Sequence, residues 1–238
     1  MTDTPYHDIT GRGPVLLLLP GGAGHPMGLG PLVERLATRF TVVTYDPLGL
    51  AHGRLGQPVA EQRVADWSAG ARRVLDAVAP AGEPAHVFGT SSGGIAALDL
   101  LARHPGRVAH VVAHEPPCVT VLPDGDARRT ELIEQLDGTG RLPAEGPSAT
   151  PMGVFLARVL RPFTSYVPAA APPPGRLTLA AGAGSRGQLL YRTAEALAER
   201  LGCTLAEFPG GHLGTLDHPV EFADRLAGTL RSNARTSA

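Results

Sequence analysis

The sequence predicts an α/β protein built on a mostly parallel sheet with helices on both faces. Short apolar runs alternate with helical patterns along most of the chain, and this alternation is typical of right-handed βαβ units. The chain has 238 residues, 43% of them hydrophobic, which suits a single domain over 1–238 with a substantial core. Functional residues in such sheets gather beyond the carboxyl ends of the strands, so a site is expected there.

Each predicted strand is a short apolar run bounded by turn or loop residues, as in strands buried on both faces. The runs are Pro14–Pro20, Phe40–Asp46, His86–Phe88, Val108–His114, Arg176–Gly182 and Cys203–Phe208. Each predicted helix lies between two such runs or after the last of them. The helices are Pro31–Ala37, Val64–Val78, Ser92–Arg103, Gln188–Leu201 and Pro219–Leu230.

The alternation of strands and helices stops beyond Pro116. Residues 116–175 hold 11 prolines and two weak helical patterns, at about Arg128–Leu136 and Met152–Leu160. A segment so rich in proline is a poor candidate for a core of its own. We therefore expect an inserted lid that lies over a pocket of the single domain.

Charge and cysteine content exclude several classes of function. The formal net charge is −1, which favours neither nucleic acid nor an anionic membrane as a partner. The apolar run Val15–Leu19 is too short for a signal peptide or a membrane span. Cys118 and Cys203 lack any metal-ligand spacing, so free thiols in a reducing cytoplasm are expected, with no metal and no cofactor. The sequence leaves the oligomeric state open.

A serine nucleophile is predicted by the segment "GTSSG" at 89–93, which has the pattern G-x-S-x-G. The pattern requires a strand before it and a helix after it, and both are predicted here. Small residues on either side allow a tight turn that lifts the central side chain, here Ser91, above the sheet. The amide of Ser92, at the helix N-terminus, is then a candidate oxyanion donor.

A general base is predicted at His212, in the glycine-rich loop "FPGGHLG" after the last strand. It follows Ser91 in the chain, as the order serine, acid, histidine requires. The first glycine-rich loop, "LPGGAGHP", lacks the lysine of a phosphate-binding loop. Its Gly22 or Ala23 is expected to supply the second oxyanion amide.

Together, these segments resemble the α/β-hydrolase superfamily over nearly the whole chain. "PGGAG" stands in place of the family's HG-x loop, and "YDPLGLAHG" in place of its D-x-R-G-x-G-x-S turn. "GTSSGG" resembles the nucleophile elbow and "GGHLG" the histidine loop. The resemblance implies an eight-stranded sheet and a lid over about 116–175. Pro20 and Leu48 replace the family's histidine and arginine, which puts the fine specificity in question.

The acid of the triad has no candidate at the family's usual position. The loop after the strand Arg176–Gly182 contains no Asp or Glu. Four other carboxylates fit structural roles or lie inside helices or strands: Asp46, Glu195, Glu207 and Asp217. Glu115 remains, at the end of the strand that follows the nucleophile helix, where some haloalkane dehalogenases carry their acid. The alternative is that Glu115 pairs with an arginine near the lid.

The predicted function is hydrolysis of an ester, thioester or lactone of a small to medium apolar molecule through an acyl-enzyme. An alternative function is lyase, cyclase or perhydrolase chemistry on the same triad, because the fold does not determine the reaction. A binding protein with little turnover is a third. The residues expected in the substrate pocket are His25, Phe155, Phe163, Tyr166 and Leu213.

Overall fold

The structure is a computed structural model that describes residues 5–80, 82–136, 138, 148–168 and 172–236. Its strands are β1 (His7–Thr10), β2 (Val15–Leu19), β3 (Thr41–Tyr45), β4 (Ala85–Thr90), β5 (Val108–His114), β6 (Leu177–Gly182) and β7 (Thr204–Phe208). Its helices are α1 (Gly30–Ala37), α2 (Val64–Val78), α3 (Ser92–Arg103), α4 (Gly125–Leu136), α5 (Pro151–Val154), α6 (Leu160–Thr164), α7 (Leu189–Leu201), α8 (Gly214–Asp217) and α9 (Pro219–Thr236).

The predicted fold class is confirmed, but the number of strands is not. Within the described residues, the sheet has seven strands in the order β1-β3-β2-β4-β5-β6-β7, where the sequence predicted eight. All neighbours are parallel except β1, which runs antiparallel to β3 with His7 opposite Tyr45. No described strand pairs with the outer edge of β1, so the sheet ends there. β1 was not predicted from the sequence, because only one of its four residues, Ile9, is a large apolar residue.

The core lies on both faces of the sheet, because successive side chains of each strand point to opposite sides. Leu17 and Leu19 pack with residues of α2, α3 and α7. Leu16 and Leu18 pack with residues of α1 and α9 on the other face. All four leucines are at most 2% exposed. The "LLLL" run is therefore a fully buried central strand.

The strand register brings the carboxyl ends of the central strands to one edge. Leu19 lies opposite Gly89, and Thr90 lies opposite His114. Two strands further along, Gly182 lies opposite Phe208. The loops that carry the predicted nucleophile, acid and histidine therefore leave the sheet side by side.

The inserted segment packs on the domain through both of its halves, with Cys118 and Phe163 in the main core. A π-helical turn, Phe155–Val159, joins α5 to α6. The segment has a small apolar cluster of its own, made of Ile133, Leu156 and Leu160. Phe163 instead belongs to the main core, where its ring contacts that of Trp67 at a centroid distance of 4.7 Å. Residues 137, 139–147 and 169–171 of the predicted lid lie outside the described residues.

Three further features bear on the classes of function. In the described part of the chain, no helix is both long enough and apolar enough to cross a bilayer. The same residues contain no group of three His, Cys, Asp or Glu side chains placed to bind a metal ion. Cys118 and Cys203 are both free, as the sequence predicts.

Candidate active site

The turn between β4 and α3 holds Ser91 in a strained conformation. Its φ of 53° and ψ of −125° lie outside the regions that residues with a Cβ normally adopt. The flanking glycines are required by close packing. A Cβ on Gly89 would collide with the carbonyl of Gly93, and one on Gly93 with the carbonyl of Leu19. The sequence pattern thus produces a sharp elbow with Ser91 at its tip.

The elbow is held to the neighbouring strand by a backbone hydrogen bond. The Ser91 N–H donates to the carbonyl of His114, at 2.9 Å. Helix α3 begins at the next residue, so its unpaired N–H groups lie beside the Ser91 side chain. Such a position favours negative charge that develops close to the serine.

The predicted histidine and acid are in direct contact. Nδ1 of His212 lies 2.9 Å from Oε2 of Glu115, within hydrogen-bond distance. The histidine side chain is 34% exposed, whereas that of Glu115 is fully buried. The imidazole is therefore partly accessible, while the carboxylate is shielded from water.

Three donors stabilise the buried carboxylate of Glu115. Besides His212, the Gly182 N–H donates to Oε1 at 3.0 Å, and the Ser185 hydroxyl donates to the same oxygen. Burial alone raises the pKa of this carboxyl, but the hydrogen bonds outweigh it and lower the pKa well below its usual range. Glu115 is therefore ionised at neutral pH, although water does not reach it.

The loop after β2 lies against Ser91. A Cβ on Gly21 would come 3.1 Å from Cβ of Ser91 and 3.8 Å from its Oγ. The hydroxyl of Ser92 donates to the carbonyl of Gly22 at 2.7 Å. In a trans peptide the N–H points opposite to the carbonyl, so this bond also fixes the direction of the Ala23 N–H. The amides of Gly22 and Ala23 donate to no acceptor among the described residues.

His114 contacts each part of this arrangement. Its carbonyl accepts from Ser91, its Nδ1 lies 3.2 Å from Oγ1 of Thr90, and it directly precedes Glu115. Its ring is nearly parallel to that of His212. Burial lowers the pKa of His114 to about 4, so its imidazole is neutral at physiological pH.

A family model for the alpha/beta hydrolase family matches residues 16–225. The chain belongs to the alpha/beta hydrolase family. The match extends from the second residue of β2 through β7 and includes all three residues of the predicted triad.

Among known proteins, this hydrolase is similar to a Bacillus subtilis (strain 168) protein described as uncharacterized hydrolase YraK. The two are 30% identical over 97% of this chain and 93% of the relative. Among solved structures, a thermophilic esterase from Thermogutta terrifontis matches with a TM-score of 0.70 and 17% identity, over 98% of this chain and 96% of the other. An enol-lactonase from Burkholderia xenovorans LB400 matches with a TM-score of 0.60 and 18% identity, over 95% and 96%. At these identities the two structures establish the fold alone.

The predicted pocket residues of this hydrolase lie in different environments. His25 lies on the loop after β2, which carries the candidate oxyanion amides, and Leu213 lies on the loop that carries His212 and is 55% exposed. Phe155 is half-buried in the lid. Phe163 is only 1% exposed and packs in the core, so it presents no open wall. The hydroxyl of Tyr166 interacts with Asp99, in the second half of α3 and away from the elbow.

Sequence reasoning missed three functional contacts. Ser185 lies in the loop that contains no Asp or Glu, yet its hydroxyl donates to Glu115. The side chains of Ser92 and His114 were given no role. Only the adjacency of His114 to Glu115 and of Ser92 to Ser91 could have drawn attention to them. The structure does not place a hydrogen bond between Oγ of Ser91 and His212.

Proposed function

We propose that this alpha/beta hydrolase cleaves a carboxylic ester, thioester or lactone of a small to medium apolar molecule through an acyl-enzyme. The observation that carries the proposal is the 2.9 Å contact between His212 and the buried carboxylate of Glu115. A buried acid that orients a partly exposed imidazole, in a site that also holds a strained serine elbow, is the arrangement that nucleophilic catalysis needs.

The reaction assigns one role to each side chain. Oγ of Ser91 attacks the carbonyl carbon while Nε2 of His212 takes its proton. Glu115 accepts the Nδ1–H of His212 and stabilises the imidazolium that forms. The imidazolium then gives its proton to the leaving alcohol as the carbon–oxygen bond breaks. Water, deprotonated by His212, hydrolyses the acyl-enzyme and restores the hydroxyl of Ser91.

The tetrahedral intermediate carries a negative oxygen that needs donors. We assign these to the amide of Ser92 and to that of Gly22 or Ala23. One such donor typically contributes 10²- to 10³-fold to kcat. The contact between Ser91 and His212 is absent in the free enzyme described above. Catalytic hydrogen bonds of this kind are often long without substrate and tighten in the complex.

Cleavage of an ester bond, including that of a lactone, is supported by the names of two structural relatives as well as by the geometry of the site. The names of two structural relatives, an esterase and an enol-lactonase, describe ester and lactone cleavage. Lyase, cyclase or perhydrolase chemistry would use the same triad on other substrates, and a binding protein would bind without turnover.

Labelling with a fluorophosphonate, combined with p-nitrophenyl ester hydrolysis, tests the proposal. We expect the adduct on Ser91 and not on Ser92, and Ser91→Ala to lower kcat by several powers of ten. Ser165→Ala is the matched control, because that hydroxyl bonds only to the carbonyl of Pro162 in the lid. An adduct on Ser92, or labelling without ester turnover, would contradict the proposal.

A further inference from the structure

An exposed apolar rim lies on the histidine loop and on the loop after β2. It consists of Met27, Leu213 and Leu216, which are 70%, 55% and 42% exposed. Large apolar side chains grouped at the surface next to a site commonly mark a binding surface. We use the name histidine-loop rim for these three residues.

The three side chains are brought together by two loops. Leu213 and Leu216 lie three residues apart on one helical turn, where the Leu216 N–H donates to the carbonyl of Leu213 at 2.8 Å. Leu216 reaches the loop after β2, because a Cβ on Gly28 would lie 3.0 Å from its Cδ2. Met27 precedes Gly28, and its N–H donates to Nδ1 of His25 at 3.2 Å. The rim therefore joins the histidine loop to the loop of the oxyanion amides.

The chemistry of acyl transfer determines which part of a substrate meets this rim. His212 protonates the leaving oxygen, so the alcohol portion of an ester must lie beside the imidazole. Leu213 directly follows His212. On the lid side, Phe163 is buried in the core and offers no comparable open surface.

We propose that the histidine-loop rim binds an apolar alcohol portion of the substrate, so that this enzyme prefers esters of long-chain alcohols. This inference rests on the acyl-enzyme mechanism proposed above and adds the side of the substrate that the rim recognises. Leu213, Leu216 and Met27 are its specificity-determining residues.

Two ester series distinguish the alcohol side from the acyl side. The first is the acetates of straight-chain alcohols from methyl to octyl, and the second is p-nitrophenyl esters with acyl chains of the same lengths. For the first series, we expect kcat/KM to rise about two- to threefold per methylene. Complete burial of a methylene gives roughly fourfold, and an open rim gives less.

Leu216→Ser should lower kcat/KM for hexyl acetate about five- to tenfold and change that for methyl acetate less than twofold. Leu213→Ser and Met27→Ser should act in the same direction. The acyl-chain dependence of the second series should stay unchanged. Ile9→Ser is the matched control, because Ile9 is equally apolar and 53% exposed but lies on edge strand β1.

If the rim variants lowered kcat/KM equally in both ester series, or only in the series that varies the acyl chain, this inference would be overturned. The acyl-enzyme mechanism would stay intact. The inference would also be overturned if the enzyme hydrolysed p-nitrophenyl acetate but its kcat/KM did not change with the length of the alcohol chain. A third contrary outcome is a dimer that Leu216→Ser separates into monomers without altering the preference among esters. The rim would then join two copies of the chain. An enzyme that neither turns over any ester nor reacts with a fluorophosphonate would overturn both the proposed function and this inference.

Discussion

The imidazole ring of His114 lies nearly parallel to that of His212, with centroids 6.3 Å apart and an interplanar angle of 18°. The edge of His114 is in turn packed against Phe222, at a centroid distance of 5.1 Å. A buried neutral ring beside the imidazole of His212 restricts the orientation of that imidazole without adding a charge. His114 is therefore a positioning residue in the proposed mechanism.

Replacement of His114 should separate the role of its ring from that of its hydrogen bond. His114→Phe keeps an aromatic ring and should lower kcat about threefold, whereas His114→Ala should lower it at least tenfold. The measurement is kcat and the pH profile of kcat/KM, with the free energy of unfolding measured for both variants. If the decrease in kcat of the two variants simply followed the decrease in their free energy of unfolding, His114 would have no positioning role.

Glu115→Gln should lower kcat by about 10³- to 10⁴-fold, as expected when the acid of a triad is neutralised. The protein should remain folded but be less stable, because three hydrogen bonds to a charged group are weakened. The amide no longer stabilises the imidazolium, while the volume of the side chain is preserved. Steady-state kinetics and circular dichroism measure the two effects. Glu131→Gln, on the lid helix α4, is the control for loss of a carboxylate. A folded Glu115→Gln enzyme with kcat within tenfold of the wild type would exclude Glu115 as the acid.

Ser185→Ala should raise the pKa of Glu115 towards its ordinary value, because it removes one of three donors to the carboxylate. A hydrogen bond to a charged group contributes about 1.5–3 kcal/mol, so the free energy of unfolding at pH 7 should fall by a similar amount. The part of the stability that depends on pH between about 2 and 4.5 should also shrink, because the pKa of Glu115 then differs less between the folded and unfolded chains. Denaturant unfolding at pH 7 and in this acidic range is the measurement, and an unchanged pH dependence of stability would contradict the role of Ser185.

The fold was largely predictable from sequence because its central strands are fully apolar and its helices are periodic. The elbow was predictable because only glycine fits at 89 and 93. Glu115 could be predicted as the candidate acid by excluding other carboxylates, but the contacts of Glu115 could not be predicted. Ser185 lies 70 positions from Glu115 along the chain, and only the pairing of β5 with β6 brings them together. The edge strand β1 carries little apolar pattern, so its existence depended on backbone pairing with β3.

Ser92→Ala should lower kcat about tenfold and leave KM within threefold. The Ser92 hydroxyl holds the carbonyl of Gly22, so its loss frees the peptide whose N–H belongs to Ala23. An oxyanion donor acts mainly in the transition state, which is why the effect should fall on kcat. The rate of fluorophosphonate labelling should decline in parallel. Equal effects on kcat and on the affinity for substrate would instead indicate a general distortion of the site.

Acidification from pH 7 to pH 5 should destabilise the protein through its buried neutral histidines. Burial lowers the pKa of His110 to about 4, and its ring nitrogens bond to the carbonyl of Gly175 and to Thr178. The unfolded chain, in which histidine has a pKa near 6.5, binds the proton over this range while the folded protein does not. Stability therefore rises with pH between about 4 and 6.5, and His110 alone should lower the free energy of unfolding by about 2 kcal/mol at pH 5. His52 acts in the opposite direction, because its hydrogen bond with Asp46 raises its pKa.

A pair of variants isolates the contribution of His110. His110→Phe should unfold more easily at pH 7, because the hydrogen bonds of His110 to Gly175 and Thr178 are lost, but its loss of stability between pH 7 and pH 5 should shrink by about 2 kcal/mol. Thr178→Val removes one hydrogen bond and keeps the titrating ring, so it should be destabilised while retaining most of the wild-type pH dependence. Urea unfolding of the three proteins at both pH values gives the comparison. A His110→Phe protein with the full wild-type pH dependence would show that His110 takes up its proton equally in the folded and unfolded chains, against the burial that the structure describes.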